Sequence, residues 1–124
     1  MKKKLRKIFN YYKKKYNIIC KLTYKDFVGF KEGEHPAYYD FFNTIICVNL
    51  NLMKKNKELF GSYKKEFKCI KSIKHFLIFA LLHEIFHALT FSPLYFQGFV
   101  KGNWFDFSEA GANSFAETEI KKWI

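Results

Sequence analysis

The side chains with the most chemistry to offer are His83, Glu84 and His87, inside the segment FLIFALLHEIFHALTF (residues 76–91). Between His75 and Leu89 they are the only residues that are not hydrophobic. On a helix, successive side chains turn by about 100°, so the two imidazoles lie about 40° apart and point the same way. Glu84 falls about 60° beyond His87, at the edge of that face. Apolar residues fill nearly every other direction, which marks a helix enclosed by protein. Three polar groups so placed cost on the order of several kcal/mol unless something satisfies them. A metal ion would. HEIFH is an HExxH pattern: imidazoles at i and i+4 both reach a metal at about 2 Å, and the glutamate between them takes a proton from water that the metal activates. The spacing predicts Zn(2+) as cofactor.

Zinc needs a third protein ligand. No histidine follows His87, and Cys20 and Cys47 lie far upstream, with Cys69 just before the helix. The downstream carboxylates are Asp106, Glu109, Glu117 and Glu119. In DFSEAGANSFAE (106–117), Glu109 and Asn113 are one turn apart on one helix face, and Ala110, Gly111 and Ala112 are small enough for close helix approach. Glu109 fits the third ligand, with Asn113 accepting a hydrogen bond from the outer nitrogen of a ligating imidazole. The competing role for Glu109 is a capping box with Asp106 (D-x-x-E), which would leave zinc without a third protein ligand.

Other elements must position this helix. Leu5, Ile8, Phe9, Tyr12 and Tyr16 recur at helical spacing among lysines, predicting an amphipathic helix over 3–16. NIICKLTY (17–24) and TIICVNL (44–50) read as strands, and FKEGEHPAYYD (30–40), with Gly33 and Pro36, as a loop. Residues 51–68 read as a helix and a turn around Gly61, and Ser92-Pro93 ends the enclosed helix begun at 72. A last helix is expected over about 107–123. The fold class expected is α+β, one domain over 1–124, with a small mixed sheet packed on a central HExxH helix between N- and C-terminal helices.

With these residues in place, the chain resembles the ImmA/IrrE family of zinc metallopeptidases. HEIFH is followed, 22 residues after its second histidine, by EAGANSFAE, and TIICVNLNL is similar to the strand that precedes the metal helix in such proteins. The resemblance spans roughly residues 36–118; Phe86 stands where that family has a glycine. It implies a minimal zincin-like domain, with His83, His87 and Glu109 as ligands and Glu84 as general base. It further implies an endopeptidase acting on an intracellular protein such as a helix-turn-helix repressor. SprT-like proteases share similar LLHE..HA text but take a later histidine ligand, which is absent. A donor to the reacting carbonyl is expected from Tyr95, Tyr38 or Tyr39, with strand 44–50 as the edge along which a substrate lies.

Composition bounds the alternatives. Net charge is +11, yet only one of 22 basic residues is arginine, the side chain that carries most bidentate recognition of guanine and phosphate. An AT-rich coding sequence also enriches lysine, and lysines of that origin should scatter over the surface. The expected nucleic-acid attraction is weak, non-specific and salt-sensitive. The rival reading is a non-catalytic basic interaction protein with a structural zinc. Three cysteines without CxxC spacing point to buried thiols, not disulfides. MKKKLRKIFNYYKKKYNIICKL starts like a signal peptide, but lysines interrupt any apolar core, and Phe76–Leu82 is too short to cross a membrane. A cytoplasmic location without membrane contact is expected.

Overall fold

Leu5, Ile8, Phe9 and Tyr12 do share one face: in a computed structural model of the protein they form the buried stripe of α1 (Lys2–Tyr16). The structure describes residues 1–25, 29–30, 33–40, 42–50, 57–90 and 109–124. Asn17, left-handed at φ 53°, ends α1, so the strand expected over 17–24 begins later, as β1 (Lys21–Lys25). Two short pieces, β2 (Gly29–Phe30) and β3 (Gly33–Glu34), pair antiparallel. β4 (Ala37–Asp40) and β5 (Ile45–Asn49) complete a three-stranded mixed sheet of order β1-β5-β4. β1 is parallel to β5 (Lys21 opposite Ile45), and β4 is antiparallel to it (Ala37 opposite Val48).

Two expectations are overturned here. The 30–40 segment is not a loop, because β4 occupies its second half. Nor is the 44–50 strand an edge: β5 is central, paired on both sides, and β4 is the edge. Pro36 explains how its segment joins a sheet. It has no N–H to give, but its carbonyl accepts Asn49 N–H at 3.0 Å where the strand begins.

The third correction is α2 (Lys57–Glu66), which runs straight through Gly61 instead of turning there. What holds it is a ring cluster on the next helix: Tyr63 meets Phe76 edge-on at 4.9 Å, and Phe67, just past α2, lies 4.6 Å from Phe79. A Cβ added at Gly61 would touch nothing within 4 Å. Gly61→Ala should therefore stabilise the protein by about 0.4–1 kcal/mol through the unfolded chain. A raised urea midpoint is the expected readout, and a lowered one would show that glycine is needed there.

α3 (Ile73–Leu89) is the centre of the fold. Ser72 caps it, its hydroxyl accepting His75 N–H at 3.2 Å. Every residue from Phe76 to His83 is buried, as are Ile85, Phe86, Ala88 and Leu89. α1, α2, the sheet and α4 (Glu109–Glu119) all pack on it. The close approach of α4 rests on Ala112 and Ala116, both fully buried; Ala110, expected to share this task, is exposed. A 3-10 turn, Ile120–Lys122, follows α4. There Tyr12 ties α1 down, donating to Glu119 Oε1 at 2.9 Å and accepting from Trp123 Nε1 at 3.1 Å. Cys20, Cys47 and Cys69 are free thiols, the first two buried. No helix among the described residues is long and apolar enough to cross a membrane.

Candidate metal centre

The enclosed helix aims His83 and His87 at α4, where Glu109 opens the helix. On α4, Glu109, Ala112, Asn113 and Ala116 follow i, i+3, i+4, i+7 spacing. The two alanines bring the helix close, and the polar pair meets the imidazoles. Glu109 Oε2 lies 2.8 Å from His83 Nε2, and Oε1 lies 2.8 Å from His87 Nε2. The two Nε2 atoms are 3.3 Å apart. Glu109 thus bridges the imidazoles and does not turn back to cap its own helix. Asp106, its expected capping partner, and Tyr95 lie outside the described residues. Glu119 is taken up by Tyr12 and Lys122, and Glu117 is exposed beyond the site, near Cys69.

These three residues could hold a metal ion, and their hydrogen bonding is compatible with one. Asn113 Oδ1 lies 2.7 Å from His83 Nδ1. An amide oxygen only accepts, so the proton belongs on Nδ1. That leaves the Nε2 lone pair of His83 facing a carboxylate oxygen and a second imidazole nitrogen. Either a proton or a metal cation between these acceptors resolves the conflict. For zinc bonds of 2.0–2.1 Å, tetrahedral ligands lie about 3.3 Å from one another, which the two imidazole nitrogens match, while the carboxylate oxygens at 2.8 Å would have to move outward. Asn113→Ala should accordingly weaken metal binding about 10–100-fold without loss of helix, as measured by competition with a chromogenic chelator. Unchanged affinity would mean that Asn113 does not orient His83.

Glu84 stands beside this triad, not in it, with Oε1 4.0 Å from His83 Nε2. Burial, and then the Glu109 carboxylate, push its carboxyl up to about 8, against a backbone hydrogen bond from Tyr39 on β4. Burial and the neighbouring His83 hold His87 below the usual histidine range, although Glu109 opposes this. A cleft of about 380 Å³ opens over these groups, bordered by His35, Ala37, Tyr38 and Tyr39. A smaller hollow of about 50 Å³ lies beneath, where His35 and Tyr63 meet Glu84 and Glu109. Tyr38 and Tyr39 both border this cleft, but Tyr39 meets Glu84 through its backbone N–H while its ring packs against the core.

His35 and Tyr63 were not singled out by the sequence. His35 sits beside a proline with no spacing relation to HEIFH, and Tyr63 belongs to a lysine-rich stretch that gives no site signal. Burial, and the charges of Glu109 and Glu84, raise the Tyr63 phenol. Comparison of the chain with family models, curated proteins and solved structures gives no match.

Proposed function

We propose that the protein is a zinc-dependent endopeptidase with a minimal zincin-like domain, as its resemblance to the ImmA/IrrE family implies. The observation that carries this reading is the convergence of His83, His87 and Glu109 from two helices, with a fourth ionisable group, the Glu84 carboxyl, 4.0 Å from His83 in an open cleft. A purely structural site has no use for that extra carboxyl. Zinc, when bound, supplies a Lewis acid that makes water nucleophilic near neutral pH and polarises a carbonyl.

The protein's own groups do the rest. Asn113 fixes the His83 ring with Nε2 turned toward the site. Glu84 accepts the proton of the attacking water and delivers it to the departing amide nitrogen, so one carboxyl serves as base and then acid. Without a metal its carboxyl holds a proton up to about 8; a cation held by the triad would favour the ionised form that the first half of the task needs.

β4 gives the substrate a rail. Because Pro36 is hydrogen-bonded to Asn49, the antiparallel alternation turns the peptide groups of Tyr38 toward β5 and those of Ala37 and Tyr39 outward. The Tyr39 N–H goes to Glu84. An extended peptide added along this edge would pair with Ala37 and pass directly by the general base. The substrate class this suits is an unfolded or extended segment of a protein, and the resemblance suggests a DNA-binding repressor.

The test is a mixed peptide library incubated with zinc-loaded protein and read by mass spectrometry for new termini. Termini that appear with zinc and vanish with chelator are expected. If none depends on zinc, the peptidase reading fails.

A further inference from the structure

The charge of this chain is not scattered. Residues 1–25 contain ten of the 22 basic residues and none of the 11 acidic ones, so the remaining 99 residues are nearly balanced. Along the sequence, the net positive charge is concentrated in this segment. In the fold this segment is α1 and β1. The α1 stripe of Leu5, Ile8, Phe9 and Tyr12 is buried to within 2% against the core, which leaves the lysines no direction but outward.

The outermost line of α1 is Lys3, Lys7, Asn10 and Lys14, at i, i+4, i+7 and i+11, all exposed. It runs for about 16 Å. The flanking cations are engaged with neighbours: Arg6 donates to Leu22 O, Lys13 to Cys20 O, and Lys2 lies over the Tyr24 ring. On the other flank Lys4 lies over Trp123, and Lys15 and Lys122 lie near Tyr11. Among the described residues, Lys3, Lys7 and Lys14 have no acceptor, carboxylate or ring. Along one side of this line runs an open groove of about 570 Å³, lined by Lys2, Lys3, Arg6, Lys7, Asn10 and Tyr24.

We propose that the outer face of α1 binds the phosphate backbone of duplex nucleic acid. Charge complementarity selects the occupant. Duplex DNA presents about one charge per 1.7 Å of axis, so a stripe of this length faces on the order of ten phosphate charges. A lipid surface would need an exposed apolar face to enter it, and the apolar face of α1 is spent on the core. Lysines without an ordered arginine fork recognise charge, not base edges, so binding is independent of sequence. The face is also separate from the metal centre. The groove borders β1 and the cleft borders β4, the two outer strands of the sheet, so the cleft stays open while α1 is occupied.

The experiment is fluorescence anisotropy with a labelled mixed-sequence DNA duplex at 50 and 200 mM salt. Two triple variants are compared, Lys3→Glu/Lys7→Glu/Lys14→Glu on α1 and Lys57→Glu/Lys64→Glu/Lys65→Glu on α2. Both change net charge equally at exposed positions, and melting curves check that both remain folded. With about four phosphates contacted, wild-type affinity should fall about 100-fold between the two salts. The α1 variant should lose at least tenfold at 50 mM and show a shallower salt dependence, while the α2 variant stays close to wild type. Equal losses in both variants, no binding at 50 mM, or preference for phosphatidylserine vesicles over DNA at the same salt would each overturn the proposal. Metal and cleavage play no part in the readout, so it stands or falls separately from the peptidase reading.

Discussion

Glu84→Gln is expected to lower zinc-dependent cleavage by about 10²–10⁴-fold, the range that a positioned acid–base group supplies. The substitution keeps the shape of the side chain and an oxygen to accept from Tyr39 N–H, but its amide cannot carry the proton from water to the leaving nitrogen. Zinc content should be unchanged, because Glu84 stands outside the ligand triad. Stability should hold as well, since a neutral amide replaces a buried carboxyl that already resists ionisation. The measurement is the cleavage rate beside zinc content and melting temperature. A variant that cleaves like wild type would remove Glu84 from the mechanism. One that loses zinc together with activity would move it into the ligand set.

Zinc itself should produce the largest shift in stability. On the proposed reading it binds the folded triad far better than the unfolded chain, so free zinc at 100 times its dissociation constant should add about 2.7 kcal/mol, or roughly 10 °C in melting temperature. The pH dependence follows from the two shifted groups at the site. His87 is held below its usual 6.5, so as pH falls through that value the unfolded chain takes up the proton first. Stability is lost on going down, and protons displace zinc from the imidazoles over the same range. Glu84 acts oppositely. Its folded carboxyl holds a proton up to about 8 that the unfolded chain releases near 4.5, so without metal its contribution is present at low pH and lost as pH rises through 8. A cation beside it favours the ionised form. The zinc-induced rise in melting temperature should therefore be largest near pH 8 and absent at pH 5. An equal rise at both values would place the bound zinc elsewhere.

The site was legible in the sequence because its demands are local. Two histidines one turn apart in an otherwise apolar helix leave few readings, and Glu109 and Asn113 announce their face through their own four-residue spacing. β4 was hidden because Gly33 and Pro36 read as turn signals, while its strand character comes from pairing with β5, a partner on the far side of a turn. The same distant pairing made β5 central when its own residues could not say so. Gly61 was misread because propensity yields to packing: Phe60 and Tyr63 lie on Phe76 and hold the helix across the glycine. His35 reaches the cleft only through the course of β4, so no spacing along the chain could have marked it.

The central claim, a zinc centre made by His83, His87 and Glu109, is tested most directly by titrating metal-free protein with zinc against a chromogenic chelator, beside His83→Ala and Glu109→Ala. One zinc per wild-type chain is expected, bound tightly enough to compete with the chelator, with binding lost in His83→Ala and severely weakened in Glu109→Ala. Failure of the wild-type protein to take zinc from the chelator, or equal uptake by all three proteins, would contradict the account.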